Sequence, residues 1–181
     1  MAEHDMVFPE LRAHAEAIGY VCIHWAHLEH HIDACLAMLT PLESGAVHTV
    51  VTTGIPFRSK LAILKSLAHI RQLNADWFEA VKTTVDLIDN ELRAARNRVV
   101  HDLWLTKAFP DTPGRMTKST KLARPSKSET YKLETNPVAP VAAAEIEMLA
   151  VDIVKAATIL SSLCGQYLAA KNEHARPPGR E

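Results

Sequence analysis

The sequence predicts a mainly α-helical bundle of four or five helices, with a small, basic and partly β insertion before the last helix. Three observations lead to this prediction. Apolar residues recur at helical spacing along most of the chain. Only 6 of the 181 residues are glycine, which is few for an all-β protein with many turns. Prolines interrupt the chain repeatedly between residues 103 and 140. The hydrophobic fraction of 48% is that of an ordinary globular protein.

The first helix is predicted over residues 9–39, with Pro9 in its first turn and Thr40-Pro41 as its end. A shorter helix is predicted over 42–52. The next amphipathic helix covers 59–73, and Asn74 is the expected N-cap of a further helix that runs to about His101. The basic end of that helix complements the negative end of the helix dipole.

Residues 103–140 differ from the rest of the chain. Leu103 to Leu105, with Phe109, are expected to form a short strand, and the β-tolerant stretches 118–123 and 130–135 allow a hairpin. A mobile basic loop over 106–140 is the alternative. A strong final helix follows over 142–170. We expect a single domain over residues 1–175 and a flexible tail over 176–181.

The formal net charge of −1 argues against a generic nucleic-acid coat protein. The charge is unevenly distributed, however. Residues 91–132 contain ten Lys or Arg against four Asp or Glu, which gives +6 and leaves −7 for the rest of the chain. A basic segment on an acidic body can still guide a polyanion.

The three cysteines, Cys22, Cys35 and Cys164, lie on apolar helix faces and are interpreted as reduced core thiols. Cys22 and Cys35 are about 19 Å apart along one helix and cannot pair with each other. We find no signal-peptide pattern and no apolar run of the roughly 18–20 residues that a membrane helix needs. We therefore expect a cytoplasmic protein without membrane contact.

The most specific motif is Arg96-Asn97-Arg98-Val99-Val100-His101. Asn97 and His101 are four residues apart and share a helix face, and Arg96 is displaced by about 100°. These residue types suit phosphodiester cleavage in RNA without a metal. A histidine transfers protons near neutral pH, an arginine stabilises the charged transition state, and an asparagine orients either the imidazole or the phosphate. The alternative is an ordinary basic helix end.

Arg96, Asn97 and His101 resemble the R-N-x-x-x-H motif of the HEPN superfamily of helical bundles, and Trp25-Ala26-His27-Leu28-Glu29 is similar to a W-x-x-L-E stretch of HEPN-like bacterial proteins. The resemblance covers 9–105 and 141–170. It implies a metal-independent endoribonuclease of toxin or defence type, without a cofactor. It also implies a homodimer whose paired motifs face each other in one cleft, and an antitoxin protein as a possible partner. Some members are inactive binding modules.

Further residues are assigned supporting roles. Glu29 and Asp102 either orient the site or serve only as a structural ion-pair partner and a helix-end residue. Trp104 either packs in the core or stacks on a base. The predicted contacts to the RNA backbone are basic side chains, namely Arg93, Arg98, Lys107, Lys118, Lys121 and Arg124.

The first helix contains a cluster of histidines, His24, His27, His30 and His31. No metal site is predicted, because the spacing matches neither H-E-x-x-H nor a di-iron E-x-x-H pattern. Metal binding by His27 and His31 remains the weakest of three interpretations. The second is a non-catalytic homodimeric helical module that binds RNA, protein or a ligand.

Overall fold

The computed structural model describes residues 9–40, 52–106, 109, 112–116, 121–122, 133–134 and 138–174. The mainly α fold is confirmed. A 3₁₀ turn, Pro9–Leu11, leads into helix α1, Arg12–Leu39. Helix α2 is Phe57–Ile70 and α3 is Ala75–Leu87; a π-helical segment, Ile88–Leu92, joins α3 to α4, Arg93–His101. Helix α5 is Ala143–His174. Because α3, the π-helical segment and α4 form one uninterrupted helix over residues 75–101, the described residues contain four long helices.

The helix signals in the sequence are largely confirmed. Asn74 is extended, and its side-chain oxygen accepts a hydrogen bond from the Trp77 backbone N–H at 2.8 Å. It is therefore the N-cap that the sequence predicts. Helix α2 begins and ends a few residues earlier than predicted, and α5 continues to His174. The predicted helix over 42–52 lies outside the described residues except for Thr52, and the predicted tail over 176–181 lies outside them entirely.

Five short strands lie between α4 and α5. Strands β1, Leu103–Leu105, β2, Gly114–Met116, and β5, Ala139–Pro140, form an antiparallel sheet in the order β1-β2-β5. Strands β3, Lys121–Leu122, and β4, Leu133–Glu134, pair antiparallel with Leu122 opposite Leu133. The β character of the insertion is thus confirmed at Leu103–Leu105 and where Lys121–Leu122 pairs with Leu133–Glu134.

The chain groups into two compact units. The first contains Met1–Cys22 and Ala95–Ala150, and the second contains Ile23–Ala94 and Val151–Glu181. The single domain over 1–175 stays a prediction. Both units have a buried apolar core. Ala17, Val21, Val99, Val141 and Ile146 belong to the core of the first unit, and Leu28, Ile32, Leu64, Ile88, Ile153 and Leu160 belong to that of the second.

The cysteines correct the sequence interpretation in two respects. Cys35 and Cys164, both in the second unit, are joined as a disulfide with their Cα atoms 5.9 Å apart, so they are not the reduced thiols that we expected. Cys22 and Cys35 lie far apart along α1, as the sequence predicts. Cys164 is 129 positions from Cys35 in the sequence, but the fold places the two side by side. Cys22 is exposed rather than buried, because it follows the buried Val21 and lies on the outer side of α1.

By length and composition alone, α5 has an apolar stretch within Ala143–Glu173 that could cross a membrane. Asp152 and Lys155 lie within it, so it is not a continuous apolar run. Part of this stretch is buried, and the core helix of a soluble protein passes the same test. The inward face of α5 includes Ile153, Ala156 and Leu160, each at most 1% exposed. This inward face is what a core helix shows, and by length and composition the same helix also meets the requirement for a membrane anchor.

Candidate functional site

The three motif residues meet at the C-terminal end of α4. The Arg96 Nη1 atom donates a hydrogen bond to Asn97 Oδ1 at 3.1 Å and lies 3.3 Å from His101 Nε2. Arg96 and Asn97 are half-buried, whereas His101, the last residue of the helix, is exposed. The long arginine side chain thus spans the angle between its own position and the face that carries Asn97 and His101.

The contacts of the Arg96 guanidinium determine which polar atoms of Asn97 and His101 remain available to a bound molecule. Because arginine only donates, this contact places a donor of Arg96 beside His101 Nε2, the ring nitrogen that lies nearest to the guanidinium. The Asn97 amide oxygen is occupied, which leaves its Nδ2 as a donor. The site therefore combines an imidazole, a guanidinium and an amide donor at an exposed helix end.

Several contacts hold the end of α4 in place. The Trp104 indole N–H donates to the Val99 carbonyl at 3.0 Å, and the Trp104 ring lies 5.5 Å from the ring of His14. His14 is 7% exposed, and its Nε2 donates to the Val141 carbonyl at 2.8 Å. Trp104 is half-buried and packed, as the structural interpretation of this residue predicts.

Asp102 follows His101 directly and pairs with a strand residue. Its Oδ2 lies 3.6 Å from Arg115 Nε, and the Asp102 side chain is only 7% exposed. Arg115 stands opposite Trp104 in the β1–β2 register. This ion pair therefore links the residue after the motif to the sheet, and it gives Asp102 a structural role at the helix end.

The predicted RNA-contacting residues divide into three groups. Arg93 belongs to the second unit, where its Nε donates to Asp89 Oδ1 at 2.8 Å. Arg98 is exposed, and its side chain forms no hydrogen bond or ion pair with the described residues. The others cannot be placed: Lys107, Lys118 and Arg124 lie outside the described residues, and Lys121 is described only as backbone in β3.

Glu29 lies in the second unit. Its Oε1 accepts a hydrogen bond from the Trp25 indole N–H at 2.8 Å, one helical turn away. This contact explains locally why a carboxylate lies four residues after a buried tryptophan. The orienting role of Glu29 stays a prediction.

The histidines of α1 pack in neighbouring pairs. The ring centroids of His24 and His27 are 6.3 Å apart, as are those of His30 and His31. Among the residues that the structure describes, no three His, Cys, Asp or Glu side chains are grouped so that they could hold a metal ion.

Two residues of this region were missed in the sequence analysis. His14 lies three residues before Ala17 and seven before Val21, so its position in the apolar stripe of α1 was a usable signal. Arg115 was counted only as part of the basic segment. Its pairing with Asp102 depends on the β1–β2 register, which the sequence does not specify.

Comparison with known proteins adds no relative: no protein-family model, no curated protein and no solved structure matches the chain. The site and the fold must therefore be interpreted from the chain's own residues.

Proposed function

We propose that the chain is a HEPN-like, metal-independent endoribonuclease that acts as a homodimer. The observation that carries the proposal is the Arg96 guanidinium, which contacts both the Asn97 amide and the His101 imidazole at an exposed helix end. These are the groups that cleavage by an internal 2′-hydroxyl requires. The resemblance of the motif to the HEPN superfamily supports the same assignment.

In the proposed reaction, His101 Nε2 accepts the proton of the 2′-hydroxyl as the oxygen attacks the adjacent phosphorus. The Arg96 guanidinium turns its donors toward the phosphate and stabilises the charge that develops on the non-bridging oxygens. Asn97 Nδ2 donates to the same phosphate. The bond from phosphorus to the 5′-oxygen breaks, which leaves a 2′,3′-cyclic phosphate and a 5′-hydroxyl.

A dimer supplies what one motif lacks. The departing 5′-oxygen needs a proton from a general acid while the 2′-hydroxyl loses one to a base. Each copy of the motif offers a single imidazole, and it is exposed. Two copies that face each other would provide both partners in one cleft. The basic segment of residues 91–132, including Arg98, would then attract the RNA backbone.

The test is cleavage of a labelled RNA in EDTA. We expect a 2′,3′-cyclic phosphate product and no cleavage of a substrate with a 2′-deoxy sugar at the scissile position. His101→Ala and Arg96→Ala should each reduce the rate by about 100-fold or more. The matched controls, His30→Ala and Arg71→Ala, replace exposed residues that are not part of the motif and should cleave normally. Wild-type rates in His101→Ala would refute the catalytic assignment.

The dimer is tested by adding His101→Ala protein to wild-type protein. Mixed dimers with one imidazole should lower the specific activity below the value for independent chains. Light scattering should report a dimer at the same concentrations. A monomer that cleaves with unchanged specific activity would contradict the composite site.

The alternative is a non-catalytic homodimeric module. Salt-sensitive RNA binding without cleavage would favour an RNA-binding module, whereas the absence of both would favour a protein or ligand partner. An antitoxin protein as partner belongs to the proposal and follows from the resemblance. The cytoplasmic location stays a prediction from the sequence, and the Cys35–Cys164 disulfide removes the reduced cysteines from its support.

A further inference from the structure

A pocket of about 120 Å³ opens in the first unit, between α4, the sheet and the start of α5. Its floor is apolar, since Val99, Val141 and Ile146 are at most 6% exposed. Three charged side chains also line it. Two of them are arginines, and the third is a glutamate from the first turn of α5. These residues are Arg98, Arg115 and Glu145.

This pocket is separate from the candidate cleavage site. On α4 it is lined by Ala95, Arg98 and Val99, which recur at i, i+3 and i+4 and therefore share one face. At about 100° per residue, His101 lies about 110° and Asn97 about 150° around the helix axis from the middle of that face. Arg98 is the lining residue on α4 that lies nearest to His101, at about 60°. A molecule in the pocket would therefore lie mainly on a different side of α4 from Asn97 and His101.

The charges that line the pocket are held apart. No ion pair joins Arg98 to Glu145 in the described part of the chain, although both line the same small space. Glu145 Oε1 accepts only a long hydrogen bond from the Ala142 backbone N–H, at 3.4 Å. Arg115 is partly neutralised by Asp102. Opposite charges beside an apolar floor favour a ligand that carries an anion, a donor nitrogen close to it and an apolar side chain.

The volume limits the apolar part of such a ligand. A cavity of about 150 Å³ accommodates benzene, so about 120 Å³ accommodates a branched aliphatic side chain of three or four carbons. An indole ring would be too large. Burial of methyl groups on the apolar floor is favourable, and the side chains of the floor carry no atom that could form a hydrogen bond with a polar group.

We propose that this pocket binds an α-carboxylate with an adjacent donor nitrogen and a branched aliphatic side chain. The carboxylate contacts Arg98 and Arg115, the nitrogen donates to Glu145, and the side chain lies on Val99, Val141 and Ile146. A free amino acid such as leucine carries this chemistry, and so does the C-terminal residue of a peptide. The proposal does not require RNA cleavage, although Arg98 also belongs to the basic segment that is proposed to attract the RNA backbone.

The test is isothermal titration of the full-length protein with L-leucine, with the dipeptide Gly-Leu, with 4-methylpentanoate and with L-tryptophan. We expect one site per chain for L-leucine or Gly-Leu, and the tighter of these two identifies the source. 4-Methylpentanoate, which lacks the nitrogen, and L-tryptophan, which is too large, should bind about tenfold more weakly or worse.

Glu145→Gln keeps an acceptor for the Ala142 N–H but removes the charge, and it should weaken binding by about tenfold or more. Glu147→Gln is the matched control, because Glu147 is exposed on the same helix and does not line the pocket. Arg98→Gln should weaken binding to a similar extent. Because Arg98 is on α4, this variant does not disturb the start of α5, where Glu145 contacts the Ala142 backbone N–H. Failure of both leucine ligands to bind at millimolar concentration would overturn the proposal. So would equal losses in Glu145→Gln and Glu147→Gln, or 4-methylpentanoate that binds as tightly as L-leucine.

Discussion

Asn97 makes two contributions that one substitution separates. Its Oδ1 accepts from Arg96 at 3.1 Å, and its Nδ2 remains a donor. Asn97→Asp keeps the acceptor and replaces the donor with negative charge, which repels phosphate. We therefore expect RNA cleavage to fall by about tenfold or more while the melting temperature is retained. Asn90→Asp adds the same charge at an exposed position of the π-helical segment and should leave cleavage unchanged. Equal rates in both variants would remove Asn97 from the site.

His14 illustrates a residue whose structural role depends on its buried neighbours. Its Nε2 pairs with the Val141 carbonyl at 2.8 Å, and its ring packs against Trp104. His14→Ala removes this packing and leaves a buried carbonyl without its partner. The free energy of unfolding should fall by about 2–4 kcal/mol in urea titration. The exposed His30→Ala should change it by less than about 0.5 kcal/mol. A similar small change for His14→Ala would show that the buried contact contributes little.

Among the helices, α3 has the start that is best defined by sequence. The Asn74 side chain accepts the Trp77 backbone N–H at 2.8 Å, which satisfies one otherwise unpaired donor of the first turn. Asn74→Ala should lower the free energy of unfolding by about 1 kcal/mol, measured by urea denaturation. Asn74→Asp preserves the acceptor and should remain near wild type. If the aspartate variant loses as much stability as the alanine variant, capping is not the cause.

The continuous helix of residues 75–101 contains both features that the sequence predicts and one that it does not. Apolar spacing and a capping residue locate helices because both are local, so α1, α3 and α5 were predictable. The π-helical segment Ile88–Leu92 was not, because one additional residue in a turn barely alters the apolar spacing. The motif itself was found by local spacing. Its Arg96–His101 contact was not predicted, because residues five apart lie about 140° apart on a helix and the length of the arginine side chain spans that angle. The Asp102–Arg115 pair and the pocket beside it require strand pairing that local patterns do not specify.

At the scale of the whole molecule, the Cys35–Cys164 disulfide joins residues separated by 129 positions along the chain. A cross-link between such distant residues restricts the unfolded chain strongly, and both cysteines are at most 2% exposed in the folded protein. Reduction of the disulfide should therefore lower the free energy of unfolding by about 2–5 kcal/mol. The measurement is denaturant unfolding of the oxidised and the reduced protein, with mass spectrometry to confirm the loss or gain of two hydrogens.

Cys22 provides the control for this prediction. It is the free, exposed cysteine in the described part of the chain. Cys22→Ser should retain the full difference between the oxidised and reduced forms, because it leaves the buried pair intact. Cys164→Ser should abolish that difference, since Cys35 then has no sulfur partner. Equal unfolding midpoints for oxidised and reduced wild-type protein would show that the cross-link does not stabilise the fold. The burial of Cys35 and Cys164 would then be explained by side-chain packing alone.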